Sequence, residues 1–120
     1  MTDETSAGDD CLFCGFVSGA MTPDVVLETG LSLAFRDINP QAPTHVLVIP
    51  KAHHATLAEL ADAAPESLVD LGRIIRAVAE QEGLEGGYRT VFNTGAAALQ
   101  TVPHVHGHVI GGRTMGWPPG

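Results

Sequence analysis

The chain is poor in positive charge. Six Lys and Arg stand against fourteen Asp and Glu, giving a formal net charge of −8 over 120 residues. A polyanion must be met by clustered cations, and these six are dispersed, which excludes nucleic-acid binding as an expectation. No uninterrupted apolar run approaches the roughly 20 residues that a membrane span requires. The opening "MTDETSAGDD" is acidic where a secretory leader is basic and then apolar, so a cytoplasmic protein without a membrane partner is expected. Several chemical signatures are missing as well. "NTGAAALQT" has no Lys and is not a Walker A loop, and "GLEGGY" lacks the strand-then-helix setting of a dinucleotide fingerprint. No Ser or Cys occupies a nucleophile elbow, and no carboxylate cluster suits Mg²⁺.

What is present fits one domain, with 44% hydrophobic content over a length that supports a single core. Asp3, Glu4, Asp9 and Asp10 crowd the first ten residues, which read as a disordered acidic tail before a domain at 11–120. "VVLETGLSLAFRD" alternates apolar and polar residues around Glu28-Thr29-Gly30 and predicts an antiparallel hairpin. "HVLVI", His45 to Ile49, is β-branched, stops at Pro50 and predicts a central strand. Leu68, Leu71, Ile75 and Val78 recur at helical spacing after Pro65, and Gly83 suits a left-handed terminus. "YRTVFN" and "HVHGHVI" are further strands. Strands, one long helix and then more strands imply an α+β fold with a mainly antiparallel sheet.

Three of the six histidines fall at alternate positions in "HVHGHVIGG". On a strand, His104, His106 and His108 share one face while Val105, Gly107 and Val109 take the other. A tag-like solvated tract is disfavoured because Val105, Val109 and Ile110 demand burial. Metal ligation and acid-base or nucleophilic catalysis both remain open, since neutral imidazole ligates metals and titrates near pH 6.5.

The only cysteines, Cys11 and Cys14, stand in "CLFC", a spacing that lets two thiolates grip one ion. His53 or His54, with one end of the triplet, would complete a Cys₂His₂ zinc set. A redox dithiol is the rival, although it usually opens a helix in a thioredoxin-like βαβ unit, a context not evident here. Ordinary buried thiols are the third reading.

Taken together, "HVHGHVI", "FRDINPQAPTHVLVIPKAH", "GYRTVFN" and "GGRTMGWPPG" resemble the histidine-triad (HIT) superfamily, in particular its Hint branch of purine nucleoside phosphoramidases. The resemblance spans Cys11 to Gly120. It implies a HIT-like α+β fold, a five-stranded sheet with one long and one short helix, and a sheet continued across a homodimer. It also implies hydrolysis of adenosine 5′-phosphoramidates and related aminoacyl or alkylamine adenylates to AMP and amine. By position His106 matches the nucleophile, His108 the phosphate-contacting histidine, His45 a histidine near the nucleophile, and Thr101 a serine beside the leaving amine. Asp37 and Ile38 match the ribose and base pocket, while Asn93, Gln100 and Thr101, with His106 and His108, match the ribose and phosphate region. Trp117 falls in a segment that influences which leaving groups fit. Relatives with zinc hold it through positions equivalent to Cys11, Cys14, His53 and His104, which leaves His54 a bystander. Other triad branches imply dinucleoside polyphosphate hydrolysis or nucleotidyl transfer, and a zinc-stabilised nucleotide-binding module is the non-enzymatic alternative.

A nucleophilic imidazole needs an acceptor at its other nitrogen, and a carbonyl near His45 or His108 is the expected partner. His108, charged or not, and backbone N–H groups are expected to meet the phosphate. The chain departs from the family at three places. Gly107 replaces a large apolar residue, a loss of about 2–4 kcal/mol unless a neighbour fills the space. Leu99 stands in "AAALQT" where glycines are usual, which bears on any positive φ there. Arg36 replaces a common histidine at the edge of the nucleotide pocket.

Overall fold

A computed structural model describes residues 11–120; the acidic stretch 1–10, expected as a tail, lies outside the described residues. The elements are α1 (Leu12–Ser18), β1 (Val25–Glu28), β2 (Ser32–Arg36), β3 (Thr44–Pro50), α2 (Leu57–Ala63), α3 (Pro65–Gln81), β4 (Tyr88–Phe92) and β5 (Gly107–Gly111), with a 3-10 turn at Ala96–Ala98 before β5. The five strands form one antiparallel sheet in the order β1-β2-β3-β5-β4. Strand β3 is central, as its unbroken apolar run predicts, and all seven of its residues are buried. Among the described residues no helix is long and apolar enough to cross a membrane.

Alternation along the strands divides the core in two. Ala34, Val46, Val48, Val105 and Val109 face α3, where Leu71, Ile74 and Val78 meet them. Leu33, Phe35, Leu47 and Ile49 take the opposite face and pack against Phe13 of α1. Pro65 opens α3 and Gly83, at φ +72°, follows its end, both as the sequence indicates. Ile74 is the helix's fully buried centre, while Leu68 and Ile75 flank it only partly covered.

Three helices occur among the described residues where two were expected. Helix α2 has a recognisable start: the Thr56 hydroxyl accepts from the Glu59 N–H at 3.2 Å, a T-x-x-E pattern overlooked because Pro65 cuts the segment to two turns. Helix α1 starts on a sulfur, since Cys11 Sγ accepts from the Cys14 N–H at 3.3 Å, and Gly19 closes it at φ +87°. The Cys pair therefore does open a helix, contrary to the sequence reading. It precedes every strand of an antiparallel sheet, so no βαβ unit surrounds it.

Candidate functional site

The three histidines share the α1 face of the sheet, but only His108 lies within the β5 ladder. His104 and His106 precede it in a segment tied down by the Val105 N–H, which donates to the His54 carbonyl at 2.8 Å. Leu47 of β3 pairs with His108, so His45, two residues earlier on the same face, lies diagonal to it. Its Nε2 is 2.9 Å from His108 Nδ1 and 3.4 Å from an Asp37 carboxylate oxygen.

Fixed backbone groups determine the tautomers. The Gln41 N–H can only donate, so His45 Nδ1, 3.0 Å away, is an acceptor. Neutral His45 then carries its hydrogen on Nε2 and donates it to His108 Nδ1. Neutral His108 in turn carries its hydrogen on Nε2. Burial holds both rings neutral: it lowers His45 against the pull of Asp37, and it pushes His108 down to about 4, helped by His106 and His45. His108 is thus a neutral donor.

His106 is set by a different acceptor from those expected. Its Nδ1 donates to the His104 carbonyl at 2.9 Å, so the neutral ring keeps a lone pair on Nε2. Phe13 stands edge-on to it with ring centroids 5.0 Å apart, and the His108 ring lies 5.3 Å away. An unprotonated nitrogen beside an N–H donor can attack an electrophile whose developing negative charge the donor then meets.

A second cluster joins Cys11, Cys14, His53 and His104. His104 Nδ1 lies 3.4 Å from Cys11 Sγ, 3.6 Å from Cys14 Sγ and 3.2 Å from His53 Nδ1, and Cys14 Sγ is 3.3 Å from His53 Nδ1. Tetrahedral Zn²⁺, with bonds of about 2.3 Å to sulfur and 2.0–2.1 Å to nitrogen, demands edges of about 3.3–3.6 Å between such donors. The donor set fits. The buried His104 Nε2 donates to the Pro50 carbonyl at 2.8 Å, leaving Nδ1 free to ligate. Burial lowers His104 to about 4 and also lowers His53, keeping both neutral. Burial and the adjacent Cys11 push the Cys14 thiol up to about 12, so it ionises only for a cation. Asp37, His45 and His108 also converge, but there the proton on His45 Nε2 occupies the position a metal would need. His54 contributes its carbonyl and not its ring.

The remaining residues surround these clusters. Asp37 and Ile38 border a cavity of about 230 Å³ whose walls include Leu12, Phe13, Phe16, Phe35 and Leu47. Asn93 follows β4 and is half-buried, and Thr101 is exposed. Among the described residues no hydrogen bond joins Asn93, Thr101 or Trp117 to the histidines. The Gln100 amide donates to the carbonyls of Ala55 and Val102 at 2.7 and 3.0 Å and accepts from the Gly95 N–H at 3.0 Å. It braces the loop instead of pointing a free group outward. Leu99 adopts φ +64° despite its side chain, directly before that brace. Arg36 borders the same cavity, and its guanidinium meets both oxygens of Glu82, just past the end of α3, at 3.0 Å. Gln41, Pro50 and Phe13 were missed in the sequence because two act through backbone atoms and the third is one more apolar residue between two cysteines.

Comparison with known proteins agrees with this architecture. The HIT domain profile matches residues 18–115. A HIT family hydrolase from Legionella pneumophila superposes with a TM-score of 0.87 at 49% identity, covering 92% of this chain and 99% of that one. A 14 kDa zinc-binding protein of Zea mays is 47% identical over 91% of this chain and 87% of its own length. Adenylylsulfatase HINT1 of Arabidopsis thaliana is 43% identical over 97% of this chain and 80% of its own. Fold, motif order and sequence similarity together establish that the chain belongs to the HIT family.

Proposed function

We propose that the chain hydrolyses purine nucleoside 5′-phosphoramidates, including aminoacyl and alkylamine adenylates, to nucleoside monophosphate and amine. The observation that carries this reading is the pair of fixed tautomers, with a free Nε2 on His106 and an N–H on the neutral His108. His106 Nε2 attacks the α-phosphorus, the P–N bond to the amine breaks, and the departing nitrogen takes up a proton from solvent through the Thr101 hydroxyl. Water then attacks phosphorus, the bond to Nε2 breaks, and the nucleotide leaves as the water's proton returns to solvent. His108 meets the phosphoryl charge and His45 holds it in register. Asp37 and Ile38 receive the ribose and base, Asn93 and the loop shaped by Gln100 flank the phosphate, and Trp117 borders the leaving group.

The name of the Arabidopsis relative favours a second reading, hydrolysis of adenylyl sulfate by the same nucleotidyl-histidine route. Sulfate departs without a proton, so the two readings differ in their need for Thr101. Turnover of adenosine 5′-phosphoramidate without added metal, lost in His106→Ala and reduced in Thr101→Val, is the result expected. AMP binding without turnover of either compound would leave a nucleotide-binding module instead.

The metal proposed for Cys11, Cys14, His53 and His104 is zinc, in keeping with their donor chemistry and with the name of the Zea mays relative. Four protein ligands close the coordination shell, so the ion supplies a structural cross-link. The working unit is taken as a cytoplasmic homodimer of the 11–120 domain, for which β1 and β4 offer open sheet edges.

A further inference from the structure

Helix α1 forms part of the cavity wall, and the Cys/His cluster supplies its polar tether to the rest of the chain. A seven-residue helix does not persist in water by itself. Its internal hydrogen bonds and those of the turn after it are local. Among the described residues, its polar links to the rest of the chain run from the Cys11 and Cys14 sulfurs to His53 and His104. Its apolar links are Phe13, Phe16 and Val17, which pack with Leu33, Phe35, Leu47 and Ile49; Phe13 stands edge-on to Phe35 at 5.5 Å and to His106 at 5.0 Å, and Phe16 edge-on to Phe35 at 5.0 Å. The core beneath α3 contains no residue of α1.

We infer that a divalent cation held by Cys11, Cys14, His53 and His104 docks α1 and so completes the nucleotide cavity, coupling metal binding to nucleotide binding. The coupling rests on the reading of that cavity as the nucleotide site. Two of the four donors lie at the start of α1, while the other two come from the segment after β3 and the approach to β5. Filling the cluster therefore pins α1 across the sheet, placing Phe13 and Phe16 against Phe35 and Leu47, with Leu12 on the cavity wall. His104 belongs to both centres, since its Nδ1 faces the cluster and its carbonyl holds His106 Nδ1. When α1 is released, the binding-competent fraction falls and the apparent nucleotide affinity falls with it. Linkage makes the effect reciprocal.

The test compares zinc-loaded with EDTA-stripped wild-type protein by AMP calorimetry and amide hydrogen exchange. Stripping is expected to weaken AMP binding by about tenfold or more. It should speed exchange at residues 12–19 while α3 and β3 stay protected, and AMP should tighten zinc by the same factor. Equal AMP affinity in both forms, with residues 12–19 equally protected, overturns the inference. So does loss of protection across α3 and β3, which would make the metal a global staple. AMP binding to neither form overturns the cavity reading and the coupling with it, whereas equal affinity in both overturns the coupling alone. Cys14→Ala should reproduce the stripped state without chelator.

Discussion

The ring of Phe92 fills the space that a side chain on Gly107 would occupy. The two residues are paired across β4 and β5, and a Cβ on Gly107 would stand 2.5 Å from Phe92 Cζ. This contact answers the loss implied by a glycine where the family carries a large residue, because the partner strand supplies the missing volume. Gly107→Leu should destabilise the fold by about 1–3 kcal/mol through overpacking. Phe92→Ala should cost about 3 kcal/mol through the void it leaves. The double variant should recover at least about 1 kcal/mol relative to their sum in urea titrations. Strict additivity would show that the two side chains do not share that space.

The choice between adjacent histidines is equally open to test. His53 Nδ1 lies within 3.3 Å of both Cys14 Sγ and His104 Nδ1, whereas the His54 ring takes no part in the cluster. Elemental analysis should find stoichiometric zinc in wild type and His54→Ala, and a clear deficit in His53→Ala. Normal zinc in His53→Ala would mean that another group supplies the fourth ligand.

Much of this was legible in the sequence, and the missing parts have physical reasons. Alternation pointed to the β1–β2 hairpin and to the shared face of the histidines, and an unbroken apolar run marked β3, because both patterns are written directly in residue type. Helix α1 was hidden because its cap is a cysteine sulfur and seven residues hold barely two turns. The acceptor for His106 was missed because it is a main-chain carbonyl, that of His104, and side-chain identity does not encode it. Gln100 presents the converse: its position matched a nucleotide-binding residue, but its amide is spent on three backbone groups of its own surroundings. Arg36 likewise follows strand alternation to the α3 face, where Glu82 holds it.

Acid should act on His108 before its own folded-state titration. Burial lowers its pKa from 6.5 to about 4, so between these values the unfolded chain binds a proton that the folded chain refuses. The unfolded state holding more protons means that stability rises with pH through this window and levels off above about 6.5. With the zinc cluster kept loaded, His108→Gln should flatten the dependence of urea midpoint on pH between 4.5 and 6.5. An unchanged slope would assign the acid sensitivity to other groups.

The C-terminal segment should tune substrates more than it stabilises the domain. Trp117 is 83% exposed, and the segment before it is held where the Arg89 guanidinium donates to the Gly116 carbonyl at 2.8 Å. Removing residues 117–120 therefore deletes little buried surface while leaving that anchor in place. If Trp117 borders the leaving group, the truncated protein should keep its melting temperature within a few degrees. Its relative kcat/KM for small and bulky phosphoramidate amines should shift by about an order of magnitude, an amount equivalent to about 1.4 kcal/mol in transition-state binding. A large fall in melting temperature with the substrate ranking intact would instead make Trp117 a structural anchor, buried when two copies associate. Arg89→Ala separates the alternatives further, because it frees the segment without removing the indole and should alter the ranking in the same direction only if Trp117 acts on substrate.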